Sequence, residues 1–393
     1  MNDFILKLND NDKISKLDLC TLKELMQQIE KVDLPYRDNL YLPNEATFGL
    51  EIEYENVKKE ILDIYMANKY NKWQSTYDIS LDDGGELVSP ILTDKKETWE
   101  DLEKICTFLS ANNPIMNVNA GGHIHVGSHI LTDDFNLWRK FLKAYTFYES
   151  DLLYFLFGED KRERGSFYQY ARPVAEIYHQ DLELLNSFHS FEEFYDSDFI
   201  TSGKNRALVL GGVTINPSSM QKDNTIEFRG ANSSDKAIIW QNNVNAVTKL
   251  MLAASKDLID EEKLDYRLVE EPASSNNFFN SLELIDTIFD NNLDKIYFER
   301  IFEGAGEPEM YQKMRLRGTE FLKKAFEVNN GHGIIQESVA NNPKRNGNWG
   351  ERIFNDGNLN DFLKKNLLLP VPKDEIDTNS ALDYSDNNYG YTN

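Results

Sequence analysis

A chain of 393 residues with 42 basic and 66 acidic side chains carries a net charge of −24, which argues against a grip on a nucleic-acid backbone or an anionic membrane surface, both of which need clustered Lys and Arg. Hydrophobic residues at 40% and aromatic residues at 12%, including 19 Tyr and 23 Phe, exclude a mainly disordered chain, and the length allows about two or three domains or one elaborate one. With Cys20 and Cys106 as the only cysteines, neither a disulfide framework nor a four-cysteine zinc site is possible, so any metal must be held by oxygen and imidazole.

Met1 to Asp10 carries no basic stretch followed by an apolar run, and no segment reaches the length of a membrane span, so the chain is expected to be cytoplasmic. Leu19, Leu22, Met26 and Ile29 recur at helical spacing and predict a helix over Leu17 to Val32, within an N-terminal appendage of residues 1–45. From Ala46 the pattern changes to short alternating runs. Phe48 to Tyr54, Glu86 to Leu92, Asn117 to Val126, Ala207 to Asn216 and Thr225 to Arg229, each edged by Gly, Asn or Asp, predict five strands.

Between them lie stripes of helical period. Trp99, Leu102, Cys106 and Leu109 form one, and Phe135 to Phe155 forms a longer one opened by a cap at Thr132 or Asp133. A third runs from Ile239 to Leu258. Strands separated by long one-sided helices predict an α+β layer architecture, a sheet with helices packed on one face and the other face left for function, over residues 46–260. Residues 261–372 read as mainly helical, with stripes at Leu282 to Phe289, Ile296 to Phe302 and Met310 to Phe326, and the polar tail 373–393 as disordered.

Strand side chains alternate with period two, so Glu51 and Glu53 share one face while Leu50, Ile52 and Tyr54 take the other. His123 and His125 do the same around Ile124, and Glu227 and Arg229 around Phe228. One such pair alone is usually a solvated strand face. Here the histidine pair follows Ala120-Gly121-Gly122, where a backbone or ligand can approach closely, and the last pair runs into Gly230-Ala231-Asn232. Three strands of this kind describe a polar surface able to bind divalent cations and phosphate. Glu86, after the Asp82-Asp83-Gly84-Gly85 turn, begins a strand at the sheet edge, where its carboxylate could also meet a metal.

The ordered set Phe48-Gly49-Leu50-Glu51-Ile52-Glu53, Asp78 with Ser80, Glu86-Leu87-Val88-Ser89-Pro90, Gly121-Gly122-His123-Ile124-His125-Val126 and Thr225-Ile226-Glu227-Phe228-Arg229 resembles the amidoligase family, ATP-dependent carboxylate-amine ligases related to glutamine synthetase and glutamate-cysteine ligase. The similarity spans about Phe48 to Leu258 and leaves the flanks uncovered. It implies a glutamine-synthetase-like, mainly antiparallel sheet whose polar face holds Mg²⁺ or Mn²⁺ around the phosphates of ATP. Carried over by position, it implies metal ligands at Glu51, Glu53, Glu86, His123 and Glu227, places His125 nearer the nucleotide, and makes Arg229 the arginine that stabilises the transferred phosphoryl group. Glutamine synthetases commonly carry an arginine two positions before the last-strand glutamate; this chain has Thr225, so Arg206 and Arg172 are the candidates to supply the second cation to the nucleotide and the reaction.

The implied activity joins a carboxylate, activated as an acyl phosphate, to an amine of an amino acid, peptide or protein. No substrate-binding signature accompanies it, and the oligomeric state is open. The competing readings are a metal-dependent amide hydrolase and a non-enzymatic binding protein on a ligase fold. Against the first, the paired histidines are two apart on a strand rather than four apart on a helix. No Gly-x-x-x-x-Gly-Lys-Ser/Thr loop, Gly-x-Gly-x-x-Gly turn or Gly-x-Ser-x-Gly elbow occurs.

Overall fold

The computed structural model describes residues 13–16 and 34–303, apart from 70–71, 79, 82, 117–118, 159–162, 175–181, 196–205, 211–223 and 271–277. All of these lie in one compact unit, Met1–Gly318. The expected helix at Leu17 to Val32, the stripe at Met310 to Phe326 and the tail lie outside the described residues.

Among the described residues seven strands form one sheet: β1 Thr47–Tyr54, β2 Gln74–Thr76, β3 Gly85–Val88, β4 Leu92–Thr93, β5 Gly121–Gly127, β6 Leu208–Val209 and β7 Thr225–Asn232. Their order is β2-β3-β1-β5-β7-β6, with β4 paired to β1, and every ladder between these strands is antiparallel. The expected strand over Glu86 to Leu92 is two pieces. Pro90 has no N–H for the ladder, and Ser89 turns aside to bond β1, its hydroxyl accepting from the Leu50 amide at 2.8 Å and its amide donating to the Leu50 carbonyl at 2.8 Å.

Alternation sends Phe48, Leu50, Ile52 and Tyr54 into the core, each at most 2% exposed. The helices covering that face are α1 Lys59–Lys69, α2 Lys96–Ser110, α3 Phe135–Leu156 and α4 Ala237–Ser255, while α5 Glu261–Glu270 packs on α3. Phe48 stacks on Trp99 of α2 at 5.3 Å, and Phe228 of β7 meets Phe141 and Tyr145 of α3 at 6.2 and 5.8 Å. A Cβ at Gly122 would stand 2.3 Å from the Trp240 ring of α4, so this glycine sets how closely that helix approaches β5. The architecture is therefore α+β, a mainly antiparallel open sheet with helices on its apolar face.

Local signals at the helix ends differ from expectation in two places. The cap of α3 is Asp134, whose carboxylate accepts the Asn136 amide at 2.9 Å, while Thr132 at φ 54° accepts the Asp134 amide through its hydroxyl at 3.2 Å. Thr132 ends the preceding turn instead of starting the helix. Helix α4 stops at Ser255, leaving Leu258 beyond it and 56% exposed. Its polar residues Gln241, Asn242, Asn243, Asn245 and Thr248 are buried alongside its apolar ones, because neighbours surround it; the Gln241 amide, for example, bonds both the N–H and the carbonyl of Arg37.

Helices α6 Phe278–Ile288 and α7 Asn292–Glu303 extend the same core, with Phe298 stacked on Phe155 of α3 at 4.3 Å. They also carry buried charge. Asp294 is paired with Arg37 and with Lys249 of α4, the latter at 3.2 Å, and Asp286 is paired with Lys295 at 2.9 Å while accepting the Ile14 and Ser15 amides. Burial alone would raise the Asp294 carboxyl, but Arg37 and Lys249 outweigh it and hold it below the ordinary carboxylate range. A depressed folded value contributes stability that is complete above the unfolded value and is lost as pH falls through the folded one.

Two outcomes are expected. Asp294→Asn removes the buried charge shared by half-buried Arg37 and by Lys249, which keeps Asp290 at 2.9 Å, and lowers stability at neutral pH by about 3 kcal/mol; in urea titrations the gap between parent and variant narrows as pH drops below the carboxylate range. Phe228→Ala, which empties the contact between sheet and α3, costs about 3–5 kcal/mol by the same measurement.

Candidate active site

Pairing register brings the charged residues of four adjacent strands into contact. Glu53 stands opposite Glu86, Glu51 opposite His123, and His125 opposite Glu227. Facing partners share a side of the sheet, so β3, β1, β5 and β7 contribute to one continuous polar face. It is half-sheltered: Glu53 and His123 are 7% and 4% exposed, while Glu51, Glu86, His125, Glu227 and Arg229 are half-buried.

Two groups of possible metal donors lie on it. Glu51, His125 and Glu227 each present a ligand atom within 4.8 Å of the others, and so do Glu53, Asp78 and Glu86. His123 sits between them. Its Nδ1 is 2.7 Å from Glu51 and 3.6 Å from Glu227, and its Nε2 is 3.3 Å from Glu53 and buried without a hydrogen bond. His125, expected nearer a nucleotide, meets Glu51 through Nε2 at 3.1 Å and the Thr225 hydroxyl through Nδ1 at 3.2 Å. All five residues read from the sequence as metal ligands therefore converge, and His125 joins them.

The donor chemistry fits divalent cations. An all-carboxylate group suits hard Mg²⁺, and a mixed carboxylate–imidazole group also suits Mn²⁺. The orphaned Nε2 of His123 is a further buried polar atom that a cation would satisfy. Electrostatics on the face are divided. For Glu51, burial pushes the carboxyl up, yet hydrogen bonds and charge from His123 and His125 outweigh it and hold it well below the usual range. For Glu86, burial dominates and the nearby Glu51 and Asp78 add to it, so its carboxyl is raised despite a 2.6 Å hydrogen bond donated by Thr76. His125, although burial opposes its charge, is raised by Glu51 and Glu227.

Arg229 stands at the β7 end of the face. Its guanidinium pairs with Glu227 at 2.5 Å and donates through Nε to the Tyr170 carbonyl at 3.4 Å. Arg172 and Arg206 are brought together by backbone: they form an isolated bridge, the Ala207 amide bonds the Arg172 carbonyl, and the Arg229 amide bonds the Ala207 carbonyl. The three arginines thus occupy adjacent backbone positions at one edge of the sheet.

Other residues of the face were not picked out from sequence. Glu55, 4% exposed, continues the run Glu51-x-Glu53-x-Glu55 and accepts from Asn119 at 3.2 Å; the same period of two marks it. Asp78, whose Oδ1 accepts from both the amide and the hydroxyl of Ser80 at 2.7 Å, was visible only through the resemblance. Thr76 lies on β2, whose Gln-Ser-Thr sequence has no apolar alternation to betray a strand. Arg164, within Lys161-Arg162-Glu163-Arg164, reads as one more solvated loop charge and is in fact 2% exposed.

The sheet is thus apolar beneath helices on one side and lined with carboxylates, imidazoles and an arginine on the other, an open strand surface with two groups of possible cation ligands. Comparison with family models narrows this: residues 61–251, just under half of the chain, match the family described as "Putative amidoligase enzyme", which supports an amidoligase assignment. The matched stretch contains Glu86, His123, His125, Arg164, Glu227 and Arg229; Glu51 and Glu53 precede it. Comparison with curated proteins gave no match. Among the described residues, no helix is long and apolar enough to cross a membrane.

Replacing Glu53 or Glu227 by Gln preserves shape and removes the charge that a hard cation needs. Each change is expected to weaken Mn²⁺ binding at least about tenfold by calorimetry while circular dichroism stays that of the parent. Unaltered affinity in either variant removes that residue from the ligand set.

Proposed function

We propose that the protein is an ATP-dependent carboxylate–amine ligase that forms an amide bond, with the polar face of the sheet as its active site. The reading is supported by one observation above all: carboxylates from β3, β1 and β7 and two imidazoles from β5 meet across register, with Arg229 beside them, in a chain whose residues 61–251 match the amidoligase family. The likeness to glutamine synthetase belongs to this proposal.

Joining a carboxylate to an amine in water is uphill, so the acid must first acquire a leaving group, and the ATP γ-phosphoryl group supplies one as an acyl phosphate. Phosphoryl transfer asks of the protein mainly positioning and charge neutralisation. Glu51, His125 and Glu227 would hold one divalent cation and Glu53, Asp78 and Glu86 another; when bound, such cations supply the positive charge that lets triphosphate approach this acidic surface. Arg229 presents a planar fork suited to two oxygens of the transferred group. Its pairing with Glu227 pre-orients it. Arg172 and Arg206, adjacent on the backbone, supply further positive charge at the β7 edge. The amine and acid would be carried by small molecules, peptides or proteins, without a nucleic-acid or membrane partner.

The deciding experiment incubates the protein with Mg·ATP and pooled amino acids and peptides, and follows products lighter than their reactants by one water together with released phosphate. Condensation products dependent on ATP are expected; amide cleavage without nucleotide would support a hydrolase instead. ATP binding is expected only with a divalent cation, since the carboxylates otherwise repel the triphosphate, and equal affinity in Mg²⁺ and in excess chelator would contradict the ligand assignment.

Arg229→Lys keeps the charge and loses the fork. It is expected to lower turnover roughly a hundredfold, about 3 kcal/mol of transition-state stabilisation, with a smaller loss of ATP affinity. Phosphate release at saturating ATP close to that of the parent would instead mark Arg229 as a strand arginine serving Glu227 alone.

A further inference from the structure

We propose that Arg164 is a positioning residue of the polar face, a buried guanidinium that sets the balance between holding cations and admitting anions there. The proposal rests on the reading above in one respect, that this face holds a divalent cation.

Arg164 reaches the face through a slot made by a glycine. Gly121 lies two residues before His123 on β5 and shares its side of the sheet. A Cβ there would stand 2.8 Å from the guanidinium carbon of Arg164 and 3.0 Å from its Nε, so the arginine fills the place of a side chain at position 121. The Gly121 amide in turn donates to the Glu53 carboxylate. Guanidinium and carboxylate thus bracket one residue of the strand. Charge reaches Arg164 chiefly from Glu53 and, in the opposite sense, from Arg229.

What holds Arg164 is mainly backbone, with the Phe167 ring centre 5.8 Å from its guanidinium carbon. Nη1 donates to the Ala231 carbonyl at 2.8 Å and Nη2 to the Arg229 carbonyl at 3.2 Å, while its own amide donates to Asn232 at 3.2 Å. These carbonyls flank the irregularity in the β5–β7 ladder between Gly122 and Ile124, where a bulge frees acceptors and re-aims side chains. Nε is buried and makes no hydrogen bond. Among the described residues no carboxylate pairs directly with this guanidinium, so its charge is not cancelled locally and acts on the whole face. Burial lowers its pKa to about 10, and the group remains a cation at neutral pH.

A buried charge with little water around it acts strongly on its neighbours. Beside Glu53 it opposes a cation in the Glu53–Asp78–Glu86 group and favours an anion above it. A plug that merely joins the loop to β7 would change stability without shifting the two affinities in opposite directions.

The test is calorimetry with two probes, Mn²⁺ alone and inorganic triphosphate at saturating Mn²⁺, on the full chain. Arg164→Met is expected to bind Mn²⁺ roughly tenfold more tightly and triphosphate roughly tenfold more weakly. Arg164→Lys, which restores the charge without the fork, is expected to bring both affinities back toward the parent even where it melts at lower temperature. If Arg164→Met does not fold, Gly121→Ala decides. Its methyl group displaces the end of a flexible side chain, keeps every backbone donor and should shift both affinities in the same two senses. Affinities within about twofold of the parent in a folded variant, or both falling together, overturn the role of Arg164 while leaving the ligase reading intact. Absence of Mn²⁺ binding in the parent overturns both. Product formation, measured separately, tests the ligase reading alone.

Discussion

Glu51 receives hydrogen bonds from both imidazoles of β5, and that contact holds together the middle of a face on which Glu51, Glu53, Glu55, Glu86, Glu227 and Asp78 are crowded. Like charges at such spacing are unfavourable when partly buried, so the sheet tolerates them only with positive partners among them. Arg229 pairs with Glu227, Arg164 stands behind Glu53, and Glu51 is met by hydrogen bonds from the two imidazoles. The face is thus a crowded array of carboxylates whose charge is met in part by guanidinium groups and imidazole hydrogen bonds.

The opposite side of the same strands explains why the array is rigid. Between the charged residues stand Leu50, Ile52, Ile124, Ile226 and Phe228, all at most 1% exposed. A slip of one residue in register would exchange charge for apolar surface across the whole sheet. The aromatic contacts of Phe48 with Trp99 and of Phe228 with Phe141 and Tyr145 therefore fix the core and, through the pleat, the aim of each functional side chain.

This coupling decides how much could be read from sequence. Wherever an apolar residue separated two polar ones, period two identified the strand and its functional face together, as at Glu51–Glu53, His123–His125 and Glu227–Arg229. The same rule, taken one step further, would have included Glu55. Beyond it, legibility fails for definite reasons. Thr76 sits on a strand of three polar residues that exists by pairing with β3, and helix α1 alternates buried Leu62 and Met66 with exposed Ile61 and Ile64, which blurs its stripe. Arg164 is invisible because its burial comes from a long-range fit into a glycine slot, which no local pattern records. The glycines before His123 did carry a signal of close approach; what approaches is Trp240 at Gly122 and Arg164 at Gly121, both from this chain.

The arrangement also bears on how a carboxylate would be activated. A thioester route needs an accessible thiol of depressed pKa. Cys106 lies within helix α2, 2% exposed, and burial, reinforced by Asp235 and Glu103, drives its thiol far above the ordinary range. Its helix packs on the apolar side of the sheet, with Trp99 against Phe48, so the sheet itself separates the thiol from the charged face. Cys106 is therefore a core residue, and the groups described on the polar face are oxygen and nitrogen groups, Cys20 lying outside the described residues. Phosphoryl activation uses groups of that kind: carboxylates to hold cations and guanidinium groups to meet phosphate oxygens, gathered where Glu227 and Arg229 already lie in contact.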